Sequence, residues 1–233
     1  MHQYGTTRGQ LADVAVAARL WAQLNPEAFV QDELTREAVL NSRMISDPLS
    51  LLDCCLVTDG GGAVIMVSHE RAKYFQNKPI YLLGTAAAHW HRQITQMPDL
   101  TVTAAVESGQ RAFNMAGITK NEVDVVEVYD AFTINTILFL EDLGFCRKGE
   151  GGSYVANGNI APGGSLPVNT HGGGLSCVHP GMYGIFILIE AVRQLRGNCG
   201  KRQVDGAEVA LVHGNGGVLS SQATSILGTE ETL

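Results

Sequence analysis

Basic runs are missing from this sequence. Its 16 Lys and Arg are outnumbered by 23 Asp and Glu, which gives a net charge of −7. Most of such a surface repels a phosphate backbone, so general nucleic-acid binding is excluded. A single anionic ligand can still bind through local backbone N–H groups and a few cations. Long hydrophobic runs are missing too: the longest, around Tyr183–Ile189, is far too short to cross a bilayer. The five cysteines (Cys54, Cys55, Cys146, Cys177 and Cys199) are odd in number and form neither C-x-x-C nor a disulfide framework. With no signal-peptide pattern in the first residues, the expectation is a reduced, cytoplasmic protein.

Apolar residues make up 45% and charged residues 17% of the 233, enough for a packed core and too apolar for a disordered chain. Glycine is abundant, at 27, and clusters in Gly60–Gly62, Gly149–Gly152, Gly163-Gly164, Gly172–Gly174 and around Gly214–Gly217. The clusters are not periodic, so they mark tight turns or close backbone approach rather than a repeat.

Thr7-x-x-Gln10 has the form of a capping box, and Leu11, Val14, Ala15, Ala18 and Ala22 follow at helical spacing until Asn25-Pro26. Leu56–Val67, interrupted by Asp59–Gly62, reads as a pair of strands, pairing outside the main sheet or with a missing or partner half, and Glu70–Gln76 as a short helix. A boundary is placed near Pro79. Beyond it the pattern alternates: strand Ile80–Thr85, helix Val102–Ala116, strand Val123–Tyr129, helix Ala131–Leu143. A Gly-rich excursion from Gly144 to Gly181 precedes a helix Met182–Leu195 and strands Glu208–His213 and Val218–Leu227. Alternation of this kind implies an α/β layered fold, a mixed sheet with helices on both faces.

Polar residues at strand ends and at the entry to a helix are the natural place for chemistry in such a sheet. Tyr129 ends one apolar strand and His213 another. His179 and Tyr183 lie where the long excursion enters a helix. Taken singly, a strand-end Tyr or a lone His is more often a core residue. His89-Trp90-His91 lacks the further ligands a metal site needs, so no metal is assigned.

Taken in order, Tyr129-Asp130-Ala131-Phe132, Val178-His179-Pro180 and His213-Gly214-Asn215-Gly216-Gly217 resemble the three C-terminal motifs of the thiolase superfamily. Tyr4–Ala12 and Ser46–Gly60 resemble the family's segments up to the last strand of its N-terminal half. The resemblance implies residues 1–78 as the end of that half and 79–233 as the C-terminal domain, with the earlier strands lying outside this chain. His213 stands where a thiolase has its second catalytic cysteine and Tyr129 where it has asparagine, while none of the five cysteines matches a catalytic one. Tyr-Asp-x-Phe, His-Pro-Gly-Met-Tyr-Gly and His-Gly-Asn-Gly-Gly resemble the lipid-transfer-protein branch, related to the thiolase part of sterol carrier protein.

That branch implies a carbon–carbon lyase, a retro-aldolase acting on β-hydroxyacyl-CoA thioesters of steroid or lipid side chains. Tyr129, His179, Tyr183 and His213 are the expected catalytic residues, with Gly214, Gly216 and Gly217 against the cofactor moiety. CoA enters as part of the substrate, with no covalent cofactor. Two other readings stay open: an acetyl-CoA acyltransferase whose nucleophilic Cys lies upstream, and a non-catalytic acyl-CoA or lipid-binding subunit. The resemblance also implies a homodimer and an OB-fold acyl-CoA-binding partner protein.

Overall fold

A computed structural model of the chain describes all of residues 1–233. The expected capping box is made. The Thr7 side chain accepts from the Gln10 N–H and the Gln10 side chain accepts from the Thr7 N–H, which starts α1 (Arg8–Gln23). The apolar positions read from the sequence are the buried face of α1, and the Trp21 indole N–H donates to the Ile160 carbonyl at 2.9 Å. α2 (Arg36–Asn41) and a small β1–β2 hairpin (Met44–Ser46, Leu49–Ser50) follow. α3 is one turn, His69–Ala72.

Within this chain the strands expected over Leu56–Val67 do not form. Cys55 and Leu56 donate their N–H groups to Ala131 and Gly174, but residues 57–68 are irregular and join no sheet. Val57, Ile65 and Met66 are 97, 79 and 74% exposed. Apolar residues make a strand only where a neighbouring backbone pairs with them, and within this chain none does.

β3 (Tyr81–His89), α4 (Ala105–Ala116), β4 (Val125–Val128), α5 (Thr133–Asp142), α6 (Gly151–Val155), α7 (Gly184–Leu195), β5 (Val209–Gly216) and β6 (Ser221–Gly228) complete the chain. All four expected strands share one sheet in the order β3-β6-β5-β4; β4 pairs parallel with β5 and the other pairs are antiparallel. Side chains along the first half of β5 are all buried and alternate between two cores. Val209 and Leu211 face the larger core with α1, α4 and α5, whereas Ala210 and Val212 face the smaller core with α7. The Gly144–Gly181 excursion is not a surface loop. It contributes Leu166, Val168 and Leu175 to the larger core, and its Asn169 side chain accepts the Val128 N–H at 2.8 Å. The excursion thus lies against β4 and ends in a π-helical turn, Gly173–Cys177, just before His179.

Candidate active site

β4 runs out into Tyr129 and Asp130 beside β5, with the Tyr129 N–H donating to the His213 carbonyl at 3.0 Å. His179 follows the π-helical turn, and Tyr183 sits at the start of α7. These three elements bring the rings together. Tyr129 meets His179 edge-on at 5.3 Å between centroids and Tyr183 edge-on at 5.1 Å; His179 stacks on Tyr183 at 5.2 Å. Tyr129 and His179 are half-buried, and Tyr183 lies fully covered behind them.

Two glycines make this approach possible. Gly173 has φ +66°, and a Cβ on it would overlap the Asp130 carboxylate. A Cβ on Gly174 would stand 2.7 Å from Cδ2 of His179. With no side chain in the way, the Gly174 and Leu175 N–H groups donate to Asp130 at 2.7 and 3.3 Å. Burial nevertheless pushes Asp130 up to about 6, against these two donors and against His171.

The fourth expected residue, His213, is not part of this cluster. Its side chain follows Val209 and Leu211 onto the opposite face of the sheet, where its ring packs 4.6 Å from Phe139. Both ring nitrogens are occupied, Nδ1 by Thr224 at 2.9 Å and Nε2 by Gln222 at 2.8 Å. Burial pushes the imidazole down to about 4, so it is neutral and spoken for. Of the expected glycines, Gly214 and Gly216 extend β5 against Ala223 and Ser221, half-buried, and Gly217 turns the chain at φ +60°.

A second tier lies under the tyrosines, and the motifs gave no sign of it. The Tyr183 hydroxyl meets Nε2 of His171 at 3.0 Å, and Nδ1 of His171 lies 3.2 Å from Oε2 of Glu127. That second contact has ion-pair distance but falls outside hydrogen-bond geometry, so both atoms still lack a well-aligned partner. The Thr170 N–H and hydroxyl stand 3.0 and 2.9 Å from Oε1 of Glu127, and the same hydroxyl is 2.8 Å from Glu190. Arg202 closes the network with two bonds to Glu190, at 2.9 and 3.0 Å. The sequence did carry a signal: Glu127 and Glu190 are charges inside an apolar strand and an apolar helix, and buried charges need partners.

The protonation pattern follows from burial. Burial raises the Tyr183 phenol well above its usual value, with Asp130 and Glu127 adding to the rise, and burial raises Tyr129 too. Both are neutral and neither is a ready base on its own. Burial lowers His179, whose Nε2 is buried without a partner. Burial would also lower His171, but Glu127, Glu190 and Asp130 outweigh it and the net shift is upward. Every thiol is held in the unreactive form: Cys55 is pushed up by burial to about 11, Cys146 and Cys177 to about 12, and Cys54 and Cys199 also upward. No group of three or more His, Cys, Asp or Glu side chains is arranged to hold a metal ion. No helix is long and apolar enough to cross a membrane. Two cavities of about 390 and 360 Å³ lie elsewhere, near Cys146–Asn159 and along the outer face of α1.

A family model described as thiolase C-terminal domain-like matches residues 86–229. An acetyl-CoA acetyltransferase of Methanothermobacter thermautotrophicus is 45% identical over 233 residues, covering 97% of this chain and 60% of that protein. A steroid side-chain-cleaving aldolase of Thermomonospora curvata is 38% identical over 229 residues, covering 93% and 56%. Sterol carrier protein 2 of Oryctolagus cuniculus is 34% identical over 225 residues, covering 93% and 41%. The solved structure of an Ltp2-ChsH2(DUF35) aldolase superposes with a TM-score of 0.92 at 35% identity, over 100% of this chain and 61% of that one. The chain thus spans 60% or less of the length of these curated relatives.

Proposed function

We propose that this chain, which belongs to the thiolase superfamily and to its branch of sterol-carrier-protein thiolase-like proteins, carries the acid–base side chains of a carbon–carbon lyase. The reaction is retro-aldol cleavage of a β-hydroxyacyl-CoA thioester, with a steroid or lipid side chain as the acyl group. One observation carries the reading: Tyr129, His179 and Tyr183 converge at 5.1–5.3 Å in a chain whose five thiols are all held protonated. Retro-aldol cleavage needs proton transfers and a stabilised enolate but no acyl-enzyme, so it has no use for an activated cysteine.

In this scheme Tyr183 takes the β-hydroxyl proton. Tyr129, half-buried and neutral, returns a proton to the α-carbon. The neutral His179, with Nε2 unpartnered, holds the enolate oxygen. Tyr183 is fully covered and Tyr129 and His179 are half-buried, so the reacting end of the substrate approaches from the side of Tyr129 and His179. Gly214, Gly216 and Gly217, at the end of β5, are assigned to the CoA portion.

The relatives support both lyase and acyltransferase chemistry. The 45% identity to an acetyl-CoA acetyltransferase keeps acyl transfer as the second reading, with a nucleophile from outside these residues. His213, neutral and hydrogen-bonded where that chemistry needs a second thiol, weighs against it. A homodimer and an OB-fold acyl-CoA-binding partner belong to the proposal; one similar structure bears the name of an aldolase with two components.

The test is kinetic, in the full-length protein. Tyr129→Phe and Tyr183→Phe should each lower turnover of a β-hydroxyacyl-CoA by about 10²-fold or more, with KM little changed. Parent rates in both variants would show that the tyrosines do not carry the chemistry.

A further inference from the structure

The scheme leaves a difficulty, because a covered phenol with a raised pKa is a poor base. The contacts beneath Tyr183 answer it. Tyr183, His171 and Glu127 form a file of three buried side chains: phenol to Nε2 at 3.0 Å, Nδ1 to carboxylate at 3.2 Å. It has the order found wherever an imidazole backed by a carboxylate takes a proton from a hydroxyl. We propose that His171, held by Glu127, is the positioning residue that makes Tyr183 a base, receiving the phenol's proton while Tyr183 takes the proton of the substrate's β-hydroxyl. This rests on the lyase reading and deepens it.

The step balances. The hydroxyl proton passes to Oη of Tyr183 and the Tyr183 proton to Nε2 of His171, so no free tyrosinate accumulates. The hydroxyl oxygen's electrons form the new carbonyl as the Cα–Cβ bond breaks. The released pair becomes the thioester enolate, which Tyr129 protonates at Cα. The imidazolium proton then returns through Tyr183 to solvent, and Tyr129 regains one from solvent.

The surroundings favour the charged intermediate. Facing His171 are Glu127 from β4, Asp130 from its end, and Glu190 and Tyr183 from α7; Arg202 faces Glu190 rather than the imidazole. Three carboxyl groups around one imidazole make it a better proton acceptor than free imidazole, as its upward shift records. Geometry also fixes its orientation. His171 directly precedes Gly172 at φ +107°, and its carbonyl accepts from the Asn25 side chain at 2.9 Å.

Two measurements test the relay, and they fail separately from the lyase reading. The first needs no activity: ¹⁵N NMR of His171 across pH in the parent, Glu127→Gln and Tyr183→Phe proteins. Glu127→Gln preserves shape and should lower the His171 pKa by about one unit or more, and Tyr183→Phe should move the Nε2 resonance. If neither variant changes His171, the relay is overturned whatever the enzyme does. The second is kinetic, in the full-length protein. The acidic limb of kcat should follow the His171 pKa. Glu127→Gln should shift that limb to lower pH and cut kcat about 10-fold with KM within about 2-fold, and His171→Gln should cost about 10²-fold. A merely structural histidine would move stability and KM but leave the limb in place. Cleavage that persists at the parent rate and with the parent pH profile in both variants refutes the relay and leaves the lyase standing. If the full-length protein cleaves no β-hydroxyacyl-CoA, the lyase reading falls, and the NMR titration alone upholds or overturns the proton coupling.

Discussion

Replacing Gly174 with alanine tests the geometry that brings the cluster together. The new methyl would lie 2.7 Å from Cδ2 of His179 and 3.0 Å from Oδ1 of Asp130, where carbon atoms prefer about 3.5–4.0 Å. Gly174 is not in the left-handed region, so its backbone accepts alanine and the conflict is purely steric. Either the π-helical turn shifts and strains the bonds from Gly174 and Leu175 to Asp130, or the His179 ring swings away from Tyr129 and Tyr183. Overpacking of this kind costs about 1–3 kcal/mol. Urea unfolding should show that loss in Gly174→Ala, together with displaced His179 ring resonances. Gly61→Ala is the control: it is exposed, its Cβ meets nothing within 4 Å, and its stability should stay within about 0.5 kcal/mol of the parent. An unchanged midpoint and unmoved His179 resonances in Gly174→Ala would refute the packing described for this turn.

Asp130 is raised by burial from 3.8 to about 6, so the folded state holds its proton more tightly than the unfolded chain. The stability this confers is complete below about pH 4 and is lost as pH rises through about 6, by about 3 kcal/mol; Asp130→Asn should remove that part of the slope in urea unfolding at stepped pH. His213 works in the opposite sense. Its value is lowered from 6.5 to about 4, so its contribution is complete above 6.5 and lost as pH falls towards 4. Its NMR resonances should report a neutral ring at pH 5.5, and a charged ring there would contradict its burial. Arg202→Met would leave Glu190 buried without its cation, and calorimetry or urea unfolding should show a loss of about 3–5 kcal/mol.

Much of the fold is legible in the sequence. The capping box at Thr7, the apolar strand Val123–Val128 and the period of α7 each state a local preference that tertiary packing leaves in place. Leu56–Val67 has two apolar runs and makes no strand within this chain, because pairing depends on a distant backbone that a local pattern does not describe. Residues 144–181 looked like a long loop since glycine obscures periodicity, yet Leu166, Val168 and Leu175 are core. In the site, Tyr129, His179 and Tyr183 were visible as strand-end and helix-entry residues within motifs. His213 carried the same mark, but which face of a strand a terminal residue takes depends on register, and register put it opposite Phe139. His171 was hidden among glycines and recognisable only through its contacts with Tyr183 and Glu127.

The most direct measurement is the identity of the products. The full-length protein, incubated with a β-hydroxyacyl-CoA and analysed by mass spectrometry, should yield a carbonyl compound and a shortened acyl-CoA in equal amounts. Given a 3-oxoacyl-CoA and labelled free CoA, it should form no labelled acyl-CoA. Labelled acyl-CoA formed from the 3-oxoacyl-CoA, with no carbonyl fragment released from the β-hydroxyacyl-CoA, would contradict the account and make this chain part of an acyltransferase.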